Sequence, residues 1–126
     1  MVRVLAVDDD PIILRLLQLN LEMEGHEVAT APDGRAGLEA IRAQRPDLVL
    51  LDVMMPHMDG FQVCEAVRAD EDAEVAATPI VMLSAKAQEA DISRGLDAGA
   101  NAYVTKPFDP MALVELVARE ARTADG

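Results

Sequence analysis

With 126 residues, of which 51% are hydrophobic, the chain is long enough for one domain with its own core and too apolar to be intrinsically disordered. Its formal net charge of −12 argues against direct binding to nucleic acid and fits a metal cation, a basic protein surface or solubility alone. Its single cysteine, Cys64, excludes an internal disulfide, and no apolar run approaches the ~18 residues of a membrane span, so we expect a cytoplasmic protein without membrane contact.

Short apolar runs alternate along the chain with longer segments of helical spacing. This alternation predicts five βα units and therefore a parallel sheet flanked by helices. The third and fourth runs, LVLL and IVML, are apolar throughout, which is typical of strands covered on both faces. The predicted strands are Val2–Val7, Val28–Ala31, Leu48–Leu51, Ile80–Leu83 and Ala102–Val104.

The helical segments carry recognisable start and stop signals. The fourth predicted helix has Ile92 and Leu96 on its inward face and ends at Gly99, which suits a C-terminal cap. The fifth opens at Asp109, a capping residue followed by proline. Between the third helix and the fourth strand we expect a solvated loop, which contains the acidic residues Asp70, Glu71, Asp72 and Glu74.

Polar or charged side chains follow four of the five predicted strands. In an open parallel sheet, ligands bind at the carboxyl ends of the strands, so these side chains mark the candidate site. Like charges repel by roughly 4 kcal/mol at ~4 Å and an effective dielectric near 20, so three adjacent carboxylates require a cation or separate roles. The residues are Asp8, Asp9 and Asp10 after the first strand, Asp52 after the third, Ser84 after the fourth and Lys106 after the fifth.

These residue types permit a narrow chemistry. Converging carboxylates favour a hard cation such as Mg²⁺, which in proteins uses one or two carboxylates together with water and phosphate oxygens. A remaining carboxylate can then act as a nucleophile towards phosphorus. A lysine and a hydroxyl complete a site suited to phosphoryl transfer, which depends on positioning and electrostatics.

Four motifs together resemble the receiver domain of bacterial two-component response regulators, including the chemotaxis regulators. They are VLAVDDDP, PDLVLLDVMMPHMDG, PIVMLSA and AYVTKPF, and the resemblance covers about residues 2–122. It implies a single doubly wound (βα)5 flavodoxin-like α/β domain with strand order 2-1-3-4-5. We place this domain at residues 1–122 and a tail or the start of a linker at 123–126.

The resemblance also implies a role for each residue at the site. Asp52 would accept a phosphoryl group from the phosphohistidine of a sensor histidine kinase or phosphotransfer protein, and would also contact Mg²⁺. Asp9 would bind the Mg²⁺ directly and Asp8 mainly through water. The backbone carbonyl of Met54 would complete the protein's share of the coordination.

The remaining implied roles concern the switch. Lys106 would pair with the acyl phosphate, and the Lys106–Pro107 bond, typically cis in the family, would aim the lysine at it. Ser84 would hydrogen-bond to the same acyl phosphate. Tyr103 would swing inward when the serine moves. The fourth helix, fifth strand and fifth helix would signal to a downstream effector or an output domain beyond this chain, with homodimer formation on phosphorylation left open.

Each of these residues also has a simpler interpretation. Asp10 precedes Pro11, so we favour a helix cap over a metal ligand. In the simpler case, the Ser84 hydroxyl only hydrogen-bonds to nearby backbone groups, and Tyr103 is a fixed, partly buried side chain. The lone His57 in a loop is expected to be exposed, and Cys64 is expected in the core.

Two side chains beside the site bear on how long a phosphoryl group lasts. Met54 lies two residues after Asp52 and Lys86 two after Ser84. Methionine cannot orient a water molecule, and lysine offers donors where an acceptor is wanted. We therefore predict slow self-dephosphorylation.

Three other functions are compatible with parts of the pattern. A Mg²⁺-dependent phosphohydrolase with an aspartyl-phosphate intermediate usually has a second aspartate where this chain has Met54, so we do not expect an enzyme acting on external substrates. A flavodoxin-like cofactor binder would need aromatic stacking partners, and aromatics are only 2% of the chain. A receiver-like module that is never phosphorylated usually lacks one of the core residues.

Overall fold

The computed structural model describes residues 1–121 and shows one five-stranded parallel sheet with helices on both faces. The strand order is β2-β1-β3-β4-β5, which confirms the predicted fold. Residues 122–126, on which the predicted tail falls, lie outside the described residues. The elements are β1 (Arg3–Val7), α1 (Pro11–Met23), β2 (Glu27–Ala31), α2 (Gly34–Gln44), β3 (Leu48–Asp52), α3 (Gly60–Arg68), α4 (Ala73–Ala76), β4 (Ile80–Ser84), α5 (Glu89–Asp97), β5 (Ala102–Thr105) and α6 (Pro110–Glu120).

The central strands are covered on both faces, as their unbroken apolar sequences predict. Every residue of β3 and β4 is buried, because alternate side chains enter two separate cores. The core on the α2 and α3 side includes Cys64, as expected, and the core on the other side lies beneath α1 and α6. Among residues 1–121, no helix has the length and apolar character needed to cross a bilayer.

Side-chain caps fix where several helices begin. Asp59 and Gln62 form a reciprocal capping box at the start of α3. Asp109 accepts a hydrogen bond from the backbone N–H of Met111 at 3.0 Å, immediately before Pro110 opens α6. Gly99 follows α5 with φ +112°, a conformation that favours glycine, so this predicted stop is confirmed.

The acidic stretch after α3 is more ordered than the sequence predicts. The prediction of a solvated loop is wrong for Ala73–Ala76, which form the short helix α4 with Asp72 as its N-cap. Two arginines of the α2 end neutralise the acids: Arg42 Nε lies 2.9 Å from Asp70 Oδ2, and Arg45 pairs with Asp72. Because α4 is an additional helix, the predicted fourth and fifth helices correspond to α5 and α6.

The inward face of α5 also differs from its prediction. Leu96 is 47% exposed rather than facing the sheet, and Ile92 is half-buried. The buried residue within Glu89–Asp97 is Gly95. The helix lies so close to β4 and β5 at this point that a Cβ on Gly95 would be 2.8 Å from Met82 Sδ and from Tyr103 Cδ2.

Candidate functional site

The carboxyl ends of β1 and β3 bring three carboxylates together. Val7 pairs with Leu51 in the sheet, so the residues that follow on each strand, Asp8 and Asp52, lie side by side. Asp8 is 2% exposed and Asp52 is 6% exposed, whereas Asp9 faces solvent. One carboxylate oxygen from each of the three lies within 4.8 Å of the other two. This donor set of hard, negatively charged oxygens fits a divalent cation such as Mg²⁺.

Asp10 is separated from this cluster by its role at the start of α1. Its side chain accepts a hydrogen bond from the backbone N–H of Ile12 at 2.9 Å, which confirms the predicted helix cap. Its own backbone N–H donates to Asp8 Oδ1 at 2.9 Å. The three consecutive acids therefore comprise two site carboxylates and one structural cap.

Lys106 reaches the carboxylates from the end of β5. Its Nζ lies 2.8 Å from Asp8 Oδ2 and 3.6 Å from Asp52 Oδ1, and the Lys106–Pro107 peptide bond is cis. Burial lowers the pKa of Lys106, but the hydrogen bond with Asp8 and the charge of Asp52 outweigh it, so the pKa is raised overall. The lysine therefore stays cationic and offsets part of the acidic charge.

The environment of Asp52 favours the neutral carboxyl group. Burial, followed by the neighbouring charge of Asp8, raises the pKa of Asp52 from 3.8 to about 6, although the charge of Lys106 acts in the opposite direction. At neutral pH the group is still mainly ionised. It is therefore a buried carboxylate that gains from any added positive charge.

Ser84 and Tyr103 are linked through one residue of the β4–α5 loop. Ser84 is fully buried, and its Oγ accepts a hydrogen bond from the backbone N–H of Lys86 at 3.1 Å. The Tyr103 hydroxyl donates to the backbone carbonyl of Lys86 at 2.7 Å. Burial raises the pKa of Tyr103 above its ordinary value of 10.0. Both side chains therefore hold the same short loop.

Met54 and Lys86 line one groove, which begins at Val53, the residue that follows Asp52. Both side chains are exposed, Met54 by 55%. The lining of the groove also includes Arg94, whose guanidinium carbon lies 4.2 Å from the centroid of the Phe61 ring. Sequence reasoning missed Arg94, because a lone arginine on a polar helix carries no signal of a distant aromatic partner.

The cluster of possible metal ligands among the described residues, Asp8, Asp9 and Asp52, includes neither histidine. His57 is exposed, as expected, and has φ +70°, which is uncommon outside glycine. His26 Nδ1 accepts a hydrogen bond from the backbone N–H of Val2 at 3.1 Å.

Comparisons with known proteins agree on one family. Residues 4–118 match the family model of the response regulator receiver domain. The chain is 51% identical over 111 residues to the transcriptional regulatory protein CseB of Streptomyces avermitilis, an alignment that covers 88% of this chain and 45% of that protein. It is 48% identical over 124 residues to the DNA-binding response regulator MtrA of Mycolicibacterium smegmatis, covering 98% of this chain and 52% of that protein.

The fold has a similar counterpart among solved structures. The chemotaxis protein CheY4 of Vibrio cholerae superposes with a TM-score of 0.87 at 37% identity, covering 95% of this chain and 98% of that one. By contrast, this chain spans about half the length of the curated relatives that it matches.

Proposed function

Because the chain belongs to the response regulator receiver family, we propose that it is a switch activated by phosphorylation of Asp52. The observation that carries this proposal is the position of that carboxylate. It is 6% exposed, clusters with Asp8 and Asp9, and lies 3.6 Å from Lys106 Nζ. A nucleophile close to both acidic ligands for a cation and an ammonium group suits attack on a phosphoryl group.

The reaction transfers one phosphoryl group from nitrogen to oxygen. An oxygen of the Asp52 carboxylate attacks the phosphorus of a phosphohistidine, forming an O–P bond as the P–N bond breaks. The bonding electron pair leaves with the imidazole nitrogen of the donor, which then takes up a proton. Lys106 pairs with the negative charge of the acyl phosphate, and the Ser84 hydroxyl donates a hydrogen bond to one of its oxygens.

The acidic cluster is the proposed Mg²⁺ site. Asp9, Asp52 and the Met54 backbone carbonyl would hold the ion directly, and Asp8 mainly through water. When bound, Mg²⁺ supplies positive charge that screens the carboxylates from one another and stabilises charge developing on the phosphoryl oxygens. Asp8 also holds Lys106 at 2.8 Å, so it positions the ammonium group beside the acceptor.

The output is a change of surface rather than a released product. Once Ser84 turns to the phosphoryl group, its Oγ no longer accepts the hydrogen bond of the Lys86 N–H. The loop held by that bond also carries the carbonyl that Tyr103 binds. We therefore assign the outward signal to α5, which follows this loop, to β5, which carries Tyr103, and to α6, which follows β5.

The partners follow from the same proposal. A sensor histidine kinase or phosphotransfer protein supplies the phosphoryl group. The relatives, named as a transcriptional regulatory protein and a DNA-binding response regulator, are about twice as long as this chain. We propose that the signal passes to an output domain or separate effector that performs any DNA binding, while this acidic domain makes no direct contact with nucleic acid.

Neither the phosphohydrolase nor the receiver-like module that is never phosphorylated gains support from these observations. The position two residues after Asp52 is occupied by Met54, which can neither donate nor accept the proton that a phosphohydrolase must move there. A receiver-like module that is never phosphorylated usually lacks at least one of the core residues. This chain has all of them: Asp8, Asp9, Asp52, Ser84 and Lys106.

Incubation with Mg²⁺ and acetyl phosphate tests the proposal. We expect intact-mass spectrometry to show one added phosphoryl group that hydroxylamine removes. Asp52→Asn should abolish the addition, whereas Asp97→Asn, at an exposed carboxylate on α5, should leave it unchanged. An unlabelled wild-type protein contradicts the proposal, and many rapid turnovers of acetyl phosphate per protein would favour an enzyme instead.

A further inference from the structure

Helix α5 rests on the sheet through a glycine. Gly95 is the buried residue within Glu89–Asp97, and its neighbours Arg94 and Leu96 are both exposed. An ideal Cβ added at Gly95 would lie 2.8 Å from Met82 Sδ and 2.8 Å from Tyr103 Cδ2, closer than real Cβ contacts. Glycine is a poor helix former, so its presence here calls for a packing reason.

The space beside Gly95 is filled by the ring of Tyr103. This residue pairs with Met82 across β4 and β5; Met82 is buried in the core on the α2 and α3 side, and the partly buried Tyr103 packs against that core. The ring is also fixed at its far end, because its hydroxyl donates to the Lys86 carbonyl at 2.7 Å. The inward orientation of Tyr103 therefore depends on contacts with both the helix and the loop before it.

We propose that Gly95 is a positioning residue for this switch, because its missing side chain leaves the space into which Tyr103 turns. With the ring inward, α5 rests directly on it. With the ring outward, the helix loses the surface that Gly95 contacts. The orientation of Tyr103 and the position of α5 on the sheet therefore change together. This inference rests on the proposed switch function and adds to it the residue that connects Tyr103 to the output surface.

Met82 and Tyr103, the two side chains that pack against Gly95, would respond differently to a methyl group at this position. Met82 Sδ belongs to a flexible side chain that moves at little cost. The Tyr103 ring is planar and rigid, and its hydroxyl is hydrogen-bonded to the Lys86 carbonyl. Its Cε2 also lies only 3.1 Å from the ideal Cβ position. A methyl group at residue 95 therefore turns the ring outward or lifts the helix, and either change exposes the ring.

The composition of the chain offers a direct probe. Tyr103 is the single tyrosine and there is no tryptophan, so tyrosine fluorescence reports on this side chain alone. In the unmodified protein, we expect Gly95→Ala to raise the acrylamide quenching constant towards that of free N-acetyltyrosinamide. Ser93→Ala, an exposed substitution two residues away that also improves helix propensity, should leave the constant unchanged. Equal quenching in wild type and Gly95→Ala overturns the inference.

A double-mutant cycle keeps the test decisive if Gly95→Ala folds poorly. The unfolding midpoint in urea is measured for Gly95→Ala in the wild-type and Tyr103→Ala backgrounds. We expect the midpoint to fall in the wild-type background and to fall less, or rise, once the ring is removed. An equal fall in both backgrounds overturns the inference, because Gly95 would then serve only packing against Met82. Failure of wild-type labelling by acetyl phosphate would instead contradict the proposed function.

Discussion

Lys106 Nζ lies 2.8 Å from Asp8 Oδ2 but 3.6 Å from Asp52 Oδ1, so one lysine serves two buried carboxylates unequally. Its closer partner is an acidic residue of the proposed cation site, and the more distant one is the proposed acceptor. The lysine therefore offsets part of the negative charge of the cluster, but it pairs less closely with Asp52 than with Asp8.

Removal of this lysine should destabilise the metal-free protein. Lys106→Met keeps most of the aliphatic stem but leaves Asp8 and Asp52 buried without their ammonium partner. Because breaking a buried ion pair leaves an uncompensated charge, the free energy of unfolding should fall by about 3 kcal/mol. Urea unfolding at pH 7 in EDTA measures the loss, and added Mg²⁺ should recover part of it. Lys86→Met, at the other lysine of the chain, is exposed and should cost little. Equal losses in the two variants would contradict this interpretation.

The neighbouring acids Asp9 and Asp10 should respond differently to the same substitution. Asp9→Ala removes an exposed member of the proposed cation site, so Mg²⁺-dependent labelling by acetyl phosphate should be abolished while unfolding changes little. Asp10→Ala removes the cap that accepts the Ile12 N–H, so labelling should persist while stability falls by ~1 kcal/mol. Labelling that survives Asp9→Ala at low Mg²⁺ concentrations would contradict the assigned metal role.

The raised pKa of Asp52 predicts how stability depends on pH without metal. Its folded-state pKa of about 6 exceeds the ordinary value of 3.8, so between these values the folded protein binds more protons than the unfolded chain. The free energy of unfolding therefore falls as pH rises, by up to about 1.4 kcal/mol per pH unit. Asp52→Asn removes this contribution and should be more stable than wild type at pH 7.

Urea unfolding of both proteins at pH 5, 6 and 7 in EDTA gives the comparison. The advantage of Asp52→Asn should grow with pH and should shrink when Mg²⁺ is added, because the cation favours the ionised carboxylate. A difference that stays constant from pH 5 to pH 7 would show that Asp52 does not titrate in this range.

The fold and most of the site could be predicted because their signals are local. Unbroken apolar runs identify strands covered on both faces, and the residue after each strand identifies the edge at which Asp52 and Lys106 lie. Helix α5, the predicted fourth helix, shows the limit of local signals. Its apolar spacing predicts that Leu96 faces inward, but the actual contact is Gly95 against Tyr103, which depends on how closely two elements approach.

The acidic stretch shows a second limit. Asp70 and Asp72 predict a solvated loop when only their own segment is considered. Their partners Arg42 and Arg45 lie about 27 residues earlier, at the end of α2, and only the folded chain brings them together. Asp72 both caps α4 and pairs with Arg45, so contacts distant in sequence accompany the local cap in ordering this stretch.

The lifetime of the phosphorylated form should depend on Met54 and Lys86. Both side chains line the groove beside Asp52, and neither can accept a proton from an attacking water molecule. The double variant Met54→Asn with Lys86→Glu introduces an amide and a carboxylate that can orient this water. We therefore expect faster loss of the phosphoryl group, measured by intact mass after acetyl phosphate is removed in excess Mg²⁺.

A matched pair of substitutions separates this effect from a change of charge or size. Met58→Asn with Lys86→Met alters a half-buried methionine outside that groove and removes the lysine without adding an acceptor, so decay should not accelerate to the same extent. Met54→Asn alone should produce an intermediate rate, because only one of the two orienting groups is supplied. If the double variant decays no faster than wild type, the side chains in this groove do not control hydrolysis, and the lifetime must depend on the ligands around Asp52 itself.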